Sequence, residues 1–250
     1  MNETVYKKPK GLTDTPFTYC PGCTHGVIHK LVAEVLDELG LLEKSIGIAS
    51  VGCSVMSYKF FNCDMEQAPH GRACAVATGV KRVKPDTICF TYQGDGDLAS
   101  IGIAETIHAA NRGENITVVF INNAIYGMTG GQMAPTTLIH QKTTTSQEGR
   151  NVAQHGSPIM ISEMFATVPR SAYIERVSVH DIKHLRQAKK ALKKAFTYQQ
   201  QGKGFTMVEF LSTCPVNWGM SPIDSLDWVK HSMMEYYPLG VYKDVGEEHA

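Results

Sequence analysis

Apolar residues recur at Val27, Ile28, Leu31, Val32, Val35, Leu36 and Leu39, the spacing of one helix face, and Gly40 stands where a glycine would stop that helix. Short apolar runs over 45–51, 87–93, 117–122, 173–179 and 205–211 read as strands. The patterns over 72–83, 99–111, 158–167 and 182–201 read as helices, the last long and amphipathic. Strands alternating with helices predict an α/β fold, a doubly wound, mainly parallel sheet with helices on both faces. The stretch 123–150 is rich in Thr and Gly and lacks periodicity; loops that long in compact domains are usually functional or disordered. Residues 1–18 and 216–250 read as N- and C-terminal arms around one domain over 19–215.

In open parallel sheets ligands bind beyond the carboxyl ends of the strands. The polar candidates fall there: Cys53, Asp95, Asn123 and Cys214. Gly94-Asp95-Gly96 leaves a strand and opens a helix, which offers a carboxylate and free backbone N–H groups to a phosphate. A bound diphosphate calls for a hard cation, and Mg²⁺ takes oxygen ligands from a few side chains, phosphate and water. Asp95 supplies a carboxylate, Asn123 an amide oxygen, and the loop after Asn123 a carbonyl. Gly127, Gly130 and Gly131 let the following backbone come close to a ligand, and Thr129 offers a hydroxyl to a phosphate oxygen.

Seven cysteines in a reducing compartment point to metal ligands, catalytic groups or core residues. Cys20-Pro-Gly-Cys23 precedes a helix, while Cys53 and Cys214 follow strands. Four thiolates of this kind suit a tetrahedral site. On spacing alone the pair at 20 and 23 is ambiguous between an iron–sulfur site, structural zinc, a redox dithiol and haem attachment. Cys74 and Cys89 lie in apolar segments and read as core, and Cys63 has no assigned role.

Gly-Asp-Gly followed about thirty residues later by Asn122-Asn123 resembles the thiamine-diphosphate motif, which implies Asp95, Asn123 and the backbone oxygen of Ile125 as Mg²⁺ ligands. Joined to Tyr19-Cys-Pro-Gly-Cys23, Gly52-Cys53-Ser54, His70-Gly71-Arg72 and Tyr126-Gly127-Met128-Thr129-Gly-Gly-Gln132, it makes residues 18–215 similar to the β subunits of 2-oxoacid:ferredoxin oxidoreductases. That resemblance implies a thiamine-diphosphate-binding fold and a four-iron four-sulfur cluster on Cys20, Cys23, Cys53 and Cys214. It implies cofactor contacts from Cys53, Ser54, His70, Gly71, Gly94, Asp95, Gly96, Asn123, Ile125, Tyr126, Gly127, Met128 and Thr129, with His70 and Arg72 as catalytic candidates. The implied reaction is coenzyme A-dependent oxidative decarboxylation of a 2-oxoacid, with electrons passed to ferredoxin. Its implied partners are an α subunit supplying the pyrimidine half of the site, with γ and ferredoxin-like δ subunits. The apolar Val55 and Met56 favour a branched-chain substrate, while nearby Lys59 keeps 2-oxoglutarate in play, and pyruvate is a third option. A non-redox thiamine lyase with structural zinc is the alternative.

Composition excludes other classes. Lys+Arg and Asp+Glu both number 24, so no basic excess points to nucleic acid. The cluster over 183–194 reads as the wet face of a helix. No apolar run approaches the ~20 residues of a membrane span, and residues 1–10 lack a signal-like apolar core, so a cytoplasmic protein is expected. His25, His29, His108, His140, His155, His180 and His184 read as structural or surface residues.

Overall fold

A computed structural model describes residues 7–246. Seven strands form one sheet in the order β2-β1-β3-β4-β6-β5-β7. They are β1 (Ser45–Ala49), β2 (Asp64–Gln67), β3 (Ile88–Gly94), β4 (Thr117–Asn122), β5 (Ser171–Ser178), β6 (Phe205–Leu211) and β7 (Gly240–Asp244). All neighbours run parallel except β5 and β7. Strands β4 and β6 are buried along their whole length, as expected of strands covered on both faces.

Side chains alternate between two apolar layers. Val119, Ile121, Val208 and Phe210 pack with Leu31, Val35, Leu192 and Phe196 of the helices His25–Glu38 and Ile182–Gln200. Val118, Phe120, Phe205 and Met207 pack on the other face with Ala77, Ala109 and Phe165 of the helices Ala73–Val83, Ile103–Arg112 and Ile161–Ala166. The sheet is therefore doubly wound, as expected.

The ends of the chain depart from expectation. Residues 1–6 and 247–250 of the expected arms lie outside the described residues. The rest of both arms is folded onto the domain. Leu12 is buried and bridges to Phe61. Residues 215–236 form short helical turns whose Val229 and Met233, with Tyr237, are buried, and β7 closes the sheet edge. The apolar positions among 224–244 are too sparse for a periodic signal, and only packing against β5 and the 124–138 loop reveals them. Strand β2 was also missed: Asp-Met-Glu-Gln is largely exposed and becomes a strand by pairing with β1.

Candidate functional site

The parallel register puts the carboxyl ends of β1, β3, β4 and β6 side by side, with Gly94 opposite Ile121 and Asn122 opposite Leu211. The loops leaving those ends carry the candidate residues. Two adjoining cavities open there. One, of about 310 Å³, is lined by Cys53, Ser54, His70, Gly94, Asp95, Gly96, Asp97, Asn123, Ile125, Tyr126, Gly127, Met128 and Thr129, among others. The other, of about 230 Å³, is lined by Cys20, Cys23, Cys53 and Cys214 together with Asn123, Gly127 and Met128.

In the first cavity Asp95 is buried. Its Oδ1 accepts from the Gly96 amide at 2.8 Å and its Oδ2 from Thr136 Oγ1 at 2.7 Å. Burial still pushes its carboxyl up to about 7. The Asn123 side-chain oxygen lies 2.8 Å from the Ile125 carbonyl oxygen and 3.2 Å from Asp95 Oδ2, with no donor between them. Rotating the amide would replace this clash of acceptors by two hydrogen bonds. Both separations are nevertheless close to the roughly 3.0 Å between neighbouring ligands of an octahedral cation with metal–oxygen bonds near 2.1 Å. A carboxylate, an amide oxygen and a backbone carbonyl are a donor set that Mg²⁺ takes, so the residues present fit that ion. Asn122 shapes this loop: its Oδ1 accepts from the Ala124 amide at 3.1 Å, and Ala124 turns the chain at φ 56°. Asn122 Nδ2 is in turn anchored at 2.8 Å on buried Glu209, which pairs with buried Arg176 at 2.9 Å. A Cβ on Gly96 would lie 2.9 Å from the Tyr126 ring, so a larger residue there would displace that ring.

Asp97 was not singled out from sequence, and it organises the cavity wall. Its buried Oδ1 accepts from His70 Nδ1 at 2.6 Å and the Gly71 amide at 2.7 Å, while Oδ2 accepts from Gln93 Nε2 at 2.8 Å. His70 thus faces the cavity with its orientation fixed. Gly71 serves through this amide and does not line the cavity. Arg72 is set apart from the group: it pairs with Glu105 at 2.6 Å and lines neither cavity. Ser54 is buried and bonded to Ser50 at 2.7 Å. Thr129 Oγ1 donates to Gln132 at 2.5 Å.

Around the second cavity the cysteine loops are stapled together. Thr24 and Thr213 each accept the other's backbone amide through Oγ1 at 3.1 Å, and Thr213 Oγ1 donates to Gly22 at 2.7 Å. A Cβ built on Gly127 would lie 3.3 Å from Cys53 Sγ and 3.4 Å from Cys214 Sγ, so the cofactor-side loop comes directly against both thiols. Asn217 Nδ2 donates to Cys214 Sγ at 3.2 Å and to the Gly127 carbonyl at 2.9 Å. Among the described residues, no three of these thiols lie mutually within 4.8 Å, whereas one tetrahedral zinc would hold its sulfurs about 3.8 Å apart. Burial pushes the Cys23 thiol up to about 12 and the Cys53 thiol up to about 11, a cost that a bound cationic metal centre would reverse. Cys74 and Cys89 are buried in the core as expected, and Cys63 packs beside the first apolar layer. His25, read as structural, lines both cavities; burial holds its imidazole down to about 4, and Nδ1 meets Tyr92 Oη at 2.9 Å.

Residues 50–210 match the model of the thiamine pyrophosphate enzyme C-terminal TPP-binding domain. The chain belongs to the thiamine-pyrophosphate-binding subunits of the 2-oxoacid:ferredoxin oxidoreductases. It is 45% identical to the ketoisovalerate oxidoreductase subunit VorA of Methanothermobacter thermautotrophicus, over 98% of this chain and 51% of that protein. It is 34% identical to the 2-oxoglutarate synthase subunit KorB of Methanocaldococcus jannaschii, over 93% of this chain and 83% of that protein. A solved 2-oxoglutarate:ferredoxin oxidoreductase from Magnetococcus marinus, with 2-oxoglutarate, coenzyme A and succinyl-CoA bound, superposes with a TM-score of 0.79 at 27% identity, covering 97% of this chain and 87% of that one. The chain spans about half the length of the ketoisovalerate oxidoreductase subunits it matches. Among the described residues no helix is long and apolar enough to cross a membrane. Within this family, the Gly94–Thr129 loops of the chain lie in the region matched by the TPP-binding model, and Cys20, Cys23 and Cys214 lie outside it.

Proposed function

We propose that this chain holds thiamine diphosphate with Mg²⁺ and a four-iron four-sulfur cluster, within an enzyme that oxidatively decarboxylates a branched-chain 2-oxoacid to its acyl-coenzyme A. The observation that carries the reading is the shared wall between the cavities: Cys53, Asn123, Gly127 and Met128 line both the oxygen-rich cavity and the four-thiol cavity. Thiamine diphosphate supplies the electron sink for decarboxylation. The cluster supplies a one-electron path to ferredoxin.

The chain's own residues have positional work. Asp95, Asn123 and the Ile125 carbonyl would anchor Mg²⁺ and through it the diphosphate. His70, held by Asp97, presents a hydrogen-bonding imidazole to the same cavity. His25 remains neutral at the junction of the two cavities. Arg72, at one remove and paired with Glu105, would act through the loop that carries His70.

Among the described residues neither cavity is lined by a glutamate, so the carboxylate that activates the aminopyrimidine would come from a partner α subunit. Subunits of the γ and ferredoxin-like δ type would complete the enzyme. Among the described residues neither cavity is lined by a lysine or arginine that could pair with the second carboxylate of 2-oxoglutarate. Lys59 instead lies 5.8 Å from the Tyr58 ring. This, with the greater identity to ketoisovalerate than to 2-oxoglutarate relatives, supports a branched-chain substrate.

The test is anaerobic purification with the partner subunits, followed by iron, sulfide and thiamine analysis and a panel of 2-oxoacids. Four irons per chain, absorption near 400 nm and preference for 2-oxoisovalerate are expected. Stoichiometric zinc without iron, or no Mg²⁺-dependent binding of thiamine diphosphate, would overturn the reading.

A further inference from the structure

Beyond the rim just described, the carboxyl end of β5 carries a second group of metal-ligating side chains. His180 and Asp181 follow the strand, and His184 stands one turn into the Ile182–Gln200 helix. Their ligand atoms lie mutually within 4.8 Å, the one such trio of His, Cys, Asp and Glu among the described residues. Asp181 Oδ1 meets His184 Nδ1 at 2.8 Å, and Asp181 Oδ2 lies 3.2 Å from His180 Nε2. The two imidazoles stand 4.3 Å apart.

The group is prepared for a ligand. The His180 side chain is 4% exposed, yet its Nε2 makes no hydrogen bond, because the approach to Asp181 Oδ2 is close but badly angled. A buried nitrogen without a partner is costly unless something occupies its lone pair. Nδ1 of the same ring is bonded at 2.9 Å to Ser178 Oγ, the last residue of β5. In the tautomer that carries its proton on Nδ1, Nε2 is left as the acceptor, the arrangement in which a ligating histidine is oriented by its other nitrogen. Asp181 is fixed as well, since Oδ1 accepts the His184 amide at 2.8 Å and caps the helix. Its side chain is 46% exposed, so the group is open to solvent on one side. Asp227 and Lys230, on the neighbouring C-terminal turns, face His180 with opposite charges that offset one another.

We propose that His180, Asp181 and His184 bind a divalent transition-metal ion at a site separate from the thiamine and cysteine centres. Two imidazoles and one carboxylate select Zn²⁺, Co²⁺, Ni²⁺ or Cu²⁺ over Mg²⁺ or Ca²⁺. The two oxygen–nitrogen separations, 2.8 and 3.2 Å, lie near the spacing of about 3.4 Å set by metal–ligand bonds near 2.1 Å. Such an ion would tie the end of β5 to the first turn of the helix that follows it.

The test is a Co²⁺ titration of the anaerobically purified, cluster-loaded enzyme, read by visible absorption, with Zn²⁺ calorimetry alongside. The loaded cluster keeps the four cysteines occupied, and a nitrogen–oxygen cobalt site lacks the intense thiolate charge-transfer band. One equivalent of Co²⁺ with weak visible bands is expected. His184→Ala and Asp181→Asn should each weaken binding more than about tenfold, while the exposed His108→Ala leaves it unchanged. Asparagine preserves the helix cap, so Asp181→Asn separates lost ligation from lost folding. Wild-type affinity in both site variants, or a thiolate band as the only cobalt signal, would overturn the proposal.

Discussion

Asn217 donates one amide hydrogen to Cys214 Sγ at 3.2 Å and the other to the Gly127 carbonyl at 2.9 Å. It therefore touches the sulfur of one proposed cluster ligand and the loop that would cover the cofactor. Replacing it by leucine keeps the branched outline of the side chain, with bulkier ends, and removes both hydrogen bonds. A hydrogen bond to a charged acceptor is worth roughly 1.5–3 kcal/mol. Reduction adds an electron whose charge is shared with the thiolates, so the bond is stronger in the reduced state. If a third to a half of its worth is differential, Asn217→Leu costs the reduced cluster about 0.5–1.5 kcal/mol. At about 59 mV per 1.36 kcal/mol for one electron, the potential falls by about 20–65 mV. Asn217→Asp places an anion at the same position and lowers the potential further.

The assay is an anaerobic redox titration followed by electron paramagnetic resonance, with iron content measured on the same samples. An unchanged potential in Asn217→Leu at full iron content would refute the tuning argument. Loss of the cluster itself would assign Asn217 to assembly. The lost bond to Gly127 also predicts weaker thiamine diphosphate binding in both variants. A merely structural residue on the cysteine side would leave that affinity alone.

Four further outcomes follow from the same contacts. Without a cation Asp95 titrates near 7 when folded against 3.8 when unfolded, so the folded chain binds the extra proton and its stability falls as pH rises from about 4 to about 7. Asp95→Asn should flatten that dependence in thermal melts of the metal-free chain, raise stability at pH 8 by a few kcal/mol at most, and abolish Mg²⁺-dependent cofactor binding; a wild-type pH profile would contradict this. Asp97→Asn should weaken thiamine diphosphate binding by about 1–3 kcal/mol in calorimetry, because His70, the Gly71 amide and Gln93 lose a charged acceptor; unchanged affinity would remove Asp97 from the site. Arg176→Met leaves Glu209 buried and unpaired and should cost about 3–5 kcal/mol in denaturant unfolding, against a smaller loss for the double variant Arg176→Met/Glu209→Leu. Gly127→Ala puts a methyl 3.3–3.4 Å from two thiols and should lower iron per chain with an unchanged circular dichroism spectrum; full iron loading would show that the loop can yield.

Much of this molecule was legible because ligand chemistry is tied to residue type and strand ends are marked by local pattern. Strands β3, β4 and β6 are buried on both faces, so each appears as an apolar run that stops where Asp95, Asn123 and Cys214 follow. Strand β2 and β7 left no such run, because a sheet edge needs only one covered face and takes its order from the neighbour it pairs with. The residues that escaped the reading of the site share one property. Asp97 collects bonds from Val51, His70, Gly71 and Gln93, Thr24 closes on Thr213 across 189 positions, and Asn217 joins Cys214 to Gly127 across 90. None has a spacing that local periodicity could register, since each binds one loop to another. The ligands lie on five different loops, and a charge at Asp95 or a thiolate at Cys53 is tolerable only when its partners arrive together. The rim therefore depends on these cross-loop contacts as much as on the ligands. Substituting Thr213 should disturb the Cys20–Cys23 loop and Cys214 in a single step, although Thr213 itself contacts no proposed ligand atom.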